Sequence, residues 1–552
     1  MSINPMSMGI STNYSVSGVA AGRVQTAQAE QASPAVSGDS VQLGHGDDGL
    51  SPSPAAAQFS PASLAAETSA SPSSASASSQ PQIRDEAQPS ASSSSDSAKS
   101  AKTEDSFGGA DIWHIAGESS SSEDTAALAK TVDGGFEKAR IALGTDGDDT
   151  ITVTMNESGN LVVTVNDEQS EFSPRDPNGM LLVIDGGKGN DTIIVDKKVT
   201  VPLRLTGGQG DDTIVGGSGN DIIIDNYGSN KIDGGAGDDI IIAHGLDLPA
   251  NGQGSTINGG TGRDYIEGSN AKDILSGGDG YDVIYGLGGD DEIHGGAGND
   301  YLDGGEGDDT ISGDEGNDNL VGGKGNDILS GGAGDDLLIG ASGHDTMSGD
   351  AGRDRVISNG SGDQIASDSD DAPVQTIASM EVPANFEAQG DDIERTRIES
   401  DLETLAHTEH GQMMFSEIAA TGHQVTIGQD TENEGSYCAS GGGRSDPGVG
   451  SDSHINYSTT KVALRSNTPW AERAPIVSMY HEMCHSYNAA VGDMDTKFYD
   501  ASGRQVSGWS EGTKGVEYQA MGVDNPSVKP NPHLLTENGL RELFGHVHRD
   551  RY

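Results

Sequence analysis

A single period governs the middle of this chain. Asp264, Asp273, Asp282, Asp291, Asp300, Asp309, Asp318, Asp327, Asp336, Asp345 and Asp354 follow one another at intervals of nine residues. Two positions after each stands an aliphatic residue or Met, as at Ile284, Ile293, Leu302, Ile311, Leu320, Leu329 and Leu338. An earlier block keeps the register at Asp212, Asp221 and Asp239, with Ile214, Ile223 and Ile241 in the apolar slot. The preceding GGxGx is a turn that glycine alone follows easily where φ is positive, and the three residues after it suit a short strand. Two such units close one turn of a flattened coil, so the expected fold for residues 206–357 is a parallel β-roll with the apolar residue stacked inside. The aspartates and loop carbonyls then face each other across successive turns, giving oxygen-only cages suited to a hard cation such as Ca²⁺. Stacked carboxylates without that ion repel, so folding and calcium binding are expected to be coupled.

The repeat also explains the charge. The chain of 552 residues holds 87 acidic residues against 31 basic ones, a formal −56 that disfavours nucleic acid and anionic membrane surfaces as partners. Much of that charge sits at fixed offsets, as a ladder of ligands. Aromatics make up only 4 %, so a conventional core fits only part of the length. No apolar stretch approaches the ~18 residues that span a bilayer. Cys438 and Cys484 stand in no metal or disulfide spacing and read as two unpaired thiols.

The expected organisation is multidomain. Residues 1–105, rich in Ser, Ala, Gln and Pro, read as a disordered leader. Its start, MSINPMSMGISTNYSVSG, has neither the basic nor the apolar region of a secretory signal peptide. Residues 106–205 contain ITVTMN and LVVTVND around an SGN turn, a β-rich cap for the open end of the coil. Residues 358–385, where the repeat register is lost, read as an acidic linker, and 386–552 as a small α+β domain. In that domain Ile398, Leu402 and Leu405 mark a helix, and HQVTIG a short strand.

The same domain carries YHEMCHSYN. On a helix, His481 and His485 lie four apart on one face and can share a Zn²⁺, with Glu482 beside the attacking water as general base. Pro475 suits the first turn, and Ile476, Met479, Met483 and Tyr487 form its apolar stripe. Catalytic zinc takes a third protein ligand. Glu517 is preferred, Glu511 comes second and His533 third; Tyr518, His533 and Tyr552 are candidates to stabilise the oxyanion. Cys484 faces away from the metal and reads as filler.

Two resemblances rest on these motifs. GGAGNDYLD, GGEGDDTIS and GGKGNDILS resemble the RTX (repeats-in-toxin) nonapeptide, which implies a calcium-binding roll with Asp212, Asp221, Asp239, Asp282, Asp291, Asp300, Asp309, Asp318, Asp327 and Asp336 as ligands. At the outer rungs Arg263, Lys272, His344 and Arg353 precede the aspartate, and weak calcium binding is expected there. HGQMMFSEIAATGHQVTI, HEMCHSYN, VEYQAMGV and TENGLRELFGHVHRDRY resemble the NleD-type zinc metallopeptidase effectors of pathogenic bacteria. That resemblance implies a zincin-like endopeptidase with zinc on His481, His485 and Glu517 and with Glu482 catalytic. It also implies a host protein as substrate, a signalling kinase being the class its members cleave, and secretion with delivery into a host cell. RTX proteins leave by type I secretion, whereas a Ser-rich, acid-poor N-terminus resembles type III export signals, so the bacterial secretion machinery involved stays open. The competing expectation is a calcium-dependent adhesion or scaffold protein with a non-catalytic C-terminal domain.

Overall fold

The computed structural model describes residues 140–174, 181–367 apart from 249–251 and 361, and 371–428. Beyond these it describes shorter stretches of the C-terminal domain, among them 437–440, 450–457, 474–491 and 535–546. All belong to one compact unit. The leader expected at 1–105 lies outside the described residues, as do Glu511, Glu517, Tyr518, His533 and Tyr552.

The nine-residue step produces two facing parallel sheets, one of 12 strands and one of 13, between which the chain alternates to form a β-solenoid of about ten turns. In the first sheet Ile266, Ile284, Leu302, Leu320, Leu338 and Val356 pair in register; in the second, Leu275, Ile293, Ile311, Leu329, Met347 and Ile365 do so. Each therefore stacks on its equivalent 18 residues away and fills the inner core. The turns need their glycines: Gly296 and Gly298 sit at φ 110° and 149°, conformations that a side chain strains.

The roll is longer at both ends than the repeats suggest. Asp149 and Asp191 already belong to the ladder, for Asp149 N donates to Asp191 Oδ1 at 2.7 Å and Asp191 N to Asp212 Oδ1 at 2.6 Å. Their spacings are irregular because the intervening turns carry longer loops. The hairpin expected around SGN is present, Thr150–Met155 pairing antiparallel with Leu161–Val165 and that strand with Glu168–Phe172. It extends the edge of the second sheet. At the far end the register is not lost at 358. Asp363 and Ile365 keep the nine-residue step although the glycines around them are displaced, and Gln364–Ala366 and Gln375–Thr376 add strands to the two sheets. Asn230, between Asp221 and Asp239, takes an aspartate's place and accepts from Asp212 N at 2.9 Å.

After the roll come helices α1 (Asp392–Ala406), α2 (Glu409–Thr421), α3 (Pro475–Ala490) and α4 (Glu537–Leu543) around a four-stranded sheet of Phe386–Ala388, Val425–Gly428, Ser453–Asn456 and Tyr437–Ser440. The start of α1 is fixed by Asp391, which accepts from Ile393 and Glu394 amides while Glu394 reaches back to the Asp391 amide, a capping box. Thr408 caps α2, and Gly422 in the left-handed region ends it. The expected helix at 398–405 and strand at HQVTIG are both present.

The two outer faces of the roll differ. On the second sheet the outward positions are small or polar, and where apolar they stay open to solvent, Ile274 at 37 % and Ile328 at 52 %. On the first sheet the same positions hold Tyr265, Glu267, Tyr285, Tyr301, Val321, Leu337 and Ile339, all buried. That face and the helices share one continuous apolar core, in which Tyr285, Tyr301, Val321 and Ile339 pack together with Ile398, Leu402, Phe415 and Met483. The roll is therefore a layer of the C-terminal domain.

Polar groups lock the layer. Glu267 accepts from Arg397 and Tyr265 and faces His244 Nε2 at 2.8 Å. Burial alone would raise its carboxyl, but the Arg397 guanidinium and His244 hold it far below the usual range. Asp401, fully buried, takes hydroxyls from Tyr457 at 2.7 Å and from Tyr285 and Tyr301 at 3.4 Å. Its desolvation raises it to about 7. Ser400 donates to Asp303 and Ser342 to Glu403 across the same seam.

Candidate metal centres

Two sites follow from this frame. The first is the aspartate ladder. Each aspartate amide donates to Oδ1 of the aspartate one turn on, Asp264 to Asp282, Asp282 to Asp300, Asp300 to Asp318 and Asp318 to Asp336 on one edge. Asp273, Asp291, Asp309, Asp327 and Asp345 repeat the pattern on the other. The second carboxylate oxygen, Oδ2, is buried without a hydrogen-bond partner in Asp212, Asp239, Asp282, Asp291, Asp300, Asp309, Asp318, Asp327 and Asp336. A buried oxygen left in this way costs free energy unless something meets it. The space beside it is shared with glycine carbonyls: a Cβ added to Gly295 would lie 2.5 Å from Asp300 Oδ2 and 2.8 Å from the Gly313 carbonyl oxygen. An orphan carboxylate oxygen, a carbonyl and no side chain in the way are what a hard, oxygen-seeking cation requires.

Burial raises these carboxyls strongly. Asp282 stands at about 9, through desolvation first and then the charges of Asp300 and Asp264, and Asp291 also at about 9. Asp318 and Asp327 stand at about 8. Asp264, Asp273, Asp345 and Asp354 occupy the same ladder; Oδ2 is orphaned in Asp264 and Asp345, whereas Asp273 Oδ2 accepts from the Ser269 amide at 2.7 Å and from the Ser269 hydroxyl at 2.9 Å. The basic residues before two of them do not enter the cages, since Arg263 pairs outward with Asp238 at 2.8 Å and Arg353 with Asp335.

The second site is on α3. Pro475 opens the helix, and the apolar residues Ile476, Met479 and Met483 anchor it in the shared core. His481 and His485, one turn apart and both buried, face each other with Nε2 atoms 3.2 Å apart. Glu482 lies between them in sequence and is also buried. Two ligands at tetrahedral Zn–N distances of about 2.0–2.1 Å hold their nitrogens about 3.3 Å apart, so the pair fits one zinc ion. On its other side, His481 Nδ1 lies 2.8 Å from Glu537 Oε2 of α4, and Arg541 Nε donates to Glu537 Oε1 at 2.7 Å. Cys484, fully buried, has its thiol pushed up by desolvation and then by the charges of Glu537 and Glu482. Among the described residues no three His, Cys, Asp or Glu side chains converge as a metal cluster. Neither Glu537 nor Arg541 was apparent from the sequence; their i, i+4 spacing marks a helical ion pair, but nothing in it ties Glu537 to a histidine 56 residues earlier.

Residues 183–196, 204–243, 251–284 and overlapping stretches from 285 to 371 match the RTX calcium-binding nonapeptide repeat. Residues 383–552 match the Peptidase_M91 family, described as an effector protein. This chain joins RTX calcium-binding repeats to a Peptidase_M91 effector domain. No curated protein matches it. The RTX match reaches back to 183 and on to 371, in keeping with strands that begin before and continue beyond the regular repeats. The Peptidase_M91 segment contains α1 to α4 and both histidines. Among the described residues no helix is long and apolar enough to cross a membrane.

Proposed function

We propose that this protein is a secreted bacterial zinc endopeptidase of the effector class that hydrolyses peptide bonds of a host protein, built on a calcium-loaded RTX roll. The observation that carries the reading is the facing pair of His481 and His485, at the separation two ligands of one zinc require, beside Glu482 in a Peptidase_M91 domain. The third ligand is assigned to Glu517, ahead of Glu511 and His533. Zinc, when bound, supplies Lewis acidity and an acidified water. Glu482 takes the water's proton and passes it to the leaving amine. His481 and His485, held on a helix inside the shared core, exclude bulk solvent from one side of the site, and Tyr518, His533 or Tyr552 supplies the oxyanion donor. The substrate class suggested by the NleD-type resemblance is a host signalling kinase.

Calcium is assigned to the ladder, with Asp212, Asp239, Asp282, Asp291, Asp300, Asp309, Asp318, Asp327 and Asp336 as ligands through their orphan Oδ2 atoms and with Asp221, whose Oδ2 also accepts from the Gly217 amide at 3.0 Å. Because the outer face of the roll's first sheet is part of the C-terminal domain's core, the peptidase domain is expected to hold its shape only where calcium is present.

The test is Glu482→Gln in the full chain with calcium. Zinc content should stay as in wild type while hydrolysis of a peptide library or host lysate falls by ~10²-fold or more. An unchanged rate rules out this mechanism, and a wild type that neither cleaves nor holds zinc leaves the adhesion or scaffold reading. Secretion from type I and type III mutant hosts, with and without residues 1–105, separates the two export routes.

A further inference from the structure

One short helix ties the two sites together. At its start, Glu537 of α4 stands 2.8 Å from His481 Nδ1, steadied by Arg541. At its end, Arg355 of the roll donates through Nη1 to the Leu543 carbonyl at 2.8 Å and to the Glu542 carbonyl at 3.1 Å. The last carbonyls of a helix have no partner within it, and a cation is favoured there, so Arg355 acts as a C-terminal cap supplied by the roll. The next residue, Phe544, lies with its ring 6.4 Å from that of Tyr301, also on the roll. Two residues on, His546 Nε2 accepts from the Ala474 amide at 2.9 Å, at the entrance to α3. The roll's grip on this strap therefore reaches both the helix that bears Glu537 and the helix that bears the two histidines.

The grip is set by the ladder. Arg355 directly follows Asp354, whose Oδ1 accepts from the Asp336 amide at 3.0 Å, and Tyr301 directly follows Asp300, whose Oδ2 is buried without a hydrogen-bond partner. Where the cages are filled, these rungs are fixed; where they are not, the buried oxygens go without a partner and the rungs loosen.

Resting on the zinc reading of His481 and His485, we propose that Glu537 is the positioning residue of His481 and that the roll, through Arg355 and Tyr301 at the other end of α4, sets Glu537 in place, so that calcium in the roll tightens zinc at the peptidase site. A neutral imidazole offers Nε2 to a metal only when its proton is on Nδ1, and a carboxylate at Nδ1 selects that tautomer and fixes the ring. Linkage makes the effect reciprocal: zinc tightens calcium by the same factor.

The experiment measures zinc affinity of the full chain by competition with a chromophoric chelator, in calcium-replete and calcium-free buffer, for wild type, Glu537→Gln and Arg355→Met. Wild type binds zinc roughly 5–150-fold more tightly with calcium. E537Q loses about 10–100-fold in zinc affinity with calcium present, and its Co²⁺-substituted spectrum shifts. R355M, far from the metal, keeps measurable zinc binding but shows little difference between the two buffers. Zinc binding by E537Q within about twofold of wild type would overturn the positioning role, even if its melting temperature fell, because a merely structural residue lowers stability without changing metal affinity. Equal affinity of wild type in both buffers would overturn the coupling, as would an R355M that responds to calcium like wild type. Wild type binding no zinc in either buffer would instead refute the zinc site on which the inference rests.

Discussion

Replacing Arg397 by Met should uncouple the roll from the peptidase domain. Arg397 and Glu267 are 4 % and 1 % exposed, and among the described residues Glu267 has His244 and Tyr265 as further partners. Removing the cation leaves a buried carboxylate without its main counter-charge, which costs about 3–5 kcal/mol, or roughly two to three and a half decades in the folding constant. Equilibrium urea unfolding of the full chain at saturating calcium, followed by far-ultraviolet circular dichroism, reads this directly. A shared core predicts that wild type loses the helices and the seam-facing sheet in one transition, and that R397M brings the helical part out earlier. The double variant E267M/R397M, which removes both charges and keeps volume, should recover most of the loss, since a buried pair replaced by apolar groups is often neutral. R397M within about 1 kcal/mol of wild type would refute the claim that this seam holds the domains together.

Three further outcomes are expected. In calcium-free buffer the roll should lose stability as pH rises: carboxyls raised from the ordinary 3.8 to between about 6 and about 9 contribute fully below about 3.8, where both states are protonated, and lose that contribution progressively until pH passes the raised values. Thermal melts from pH 4 to pH 9 check this, and a calcium-free roll more stable at pH 9 than at pH 5 would contradict it. With calcium the dependence should reverse, because protons then compete with the ion. Gly295→Ala should weaken calcium binding and cost about 1–3 kcal/mol, since its methyl would occupy the space between Asp300 Oδ2 and the Gly313 carbonyl; calcium titration by calorimetry reads both.

Much of this architecture was legible in the sequence, because the repeat fixes the strand, the turn and the inward residue at once. The helix at α1 and the histidine pair on α3 were legible for the same reason, each resting on spacing within one element. The shared core was not read, although its signal is present. Taking every second repeat, the positions flanking the inward residue run Tyr265 and Glu267, Val283 and Tyr285, Tyr301 and Asp303, Asn319 and Val321, Leu337 and Ile339; in the alternate repeats they run Ile274 and Ser276, Glu292 and His294, Thr310 and Ser312, Ile328 and Ser330, Thr346 and Ser348. A period of 18 in the outward residues thus marks the face that another domain covers. Asp149 and Asp363 were missed because loop length and displaced glycines break the motif while leaving the stacking intact. Glu537 and Arg355 could not be found by spacing, since their roles arise only when distant segments pack.

The proposed zinc site on α3 is open to elemental analysis of the calcium-loaded full chain. Wild type should hold about one zinc per chain after gel filtration, and His481→Ala/His485→Ala should hold none while keeping its calcium. Zinc absent from wild type, or retained in equal amount by the double variant, would contradict it.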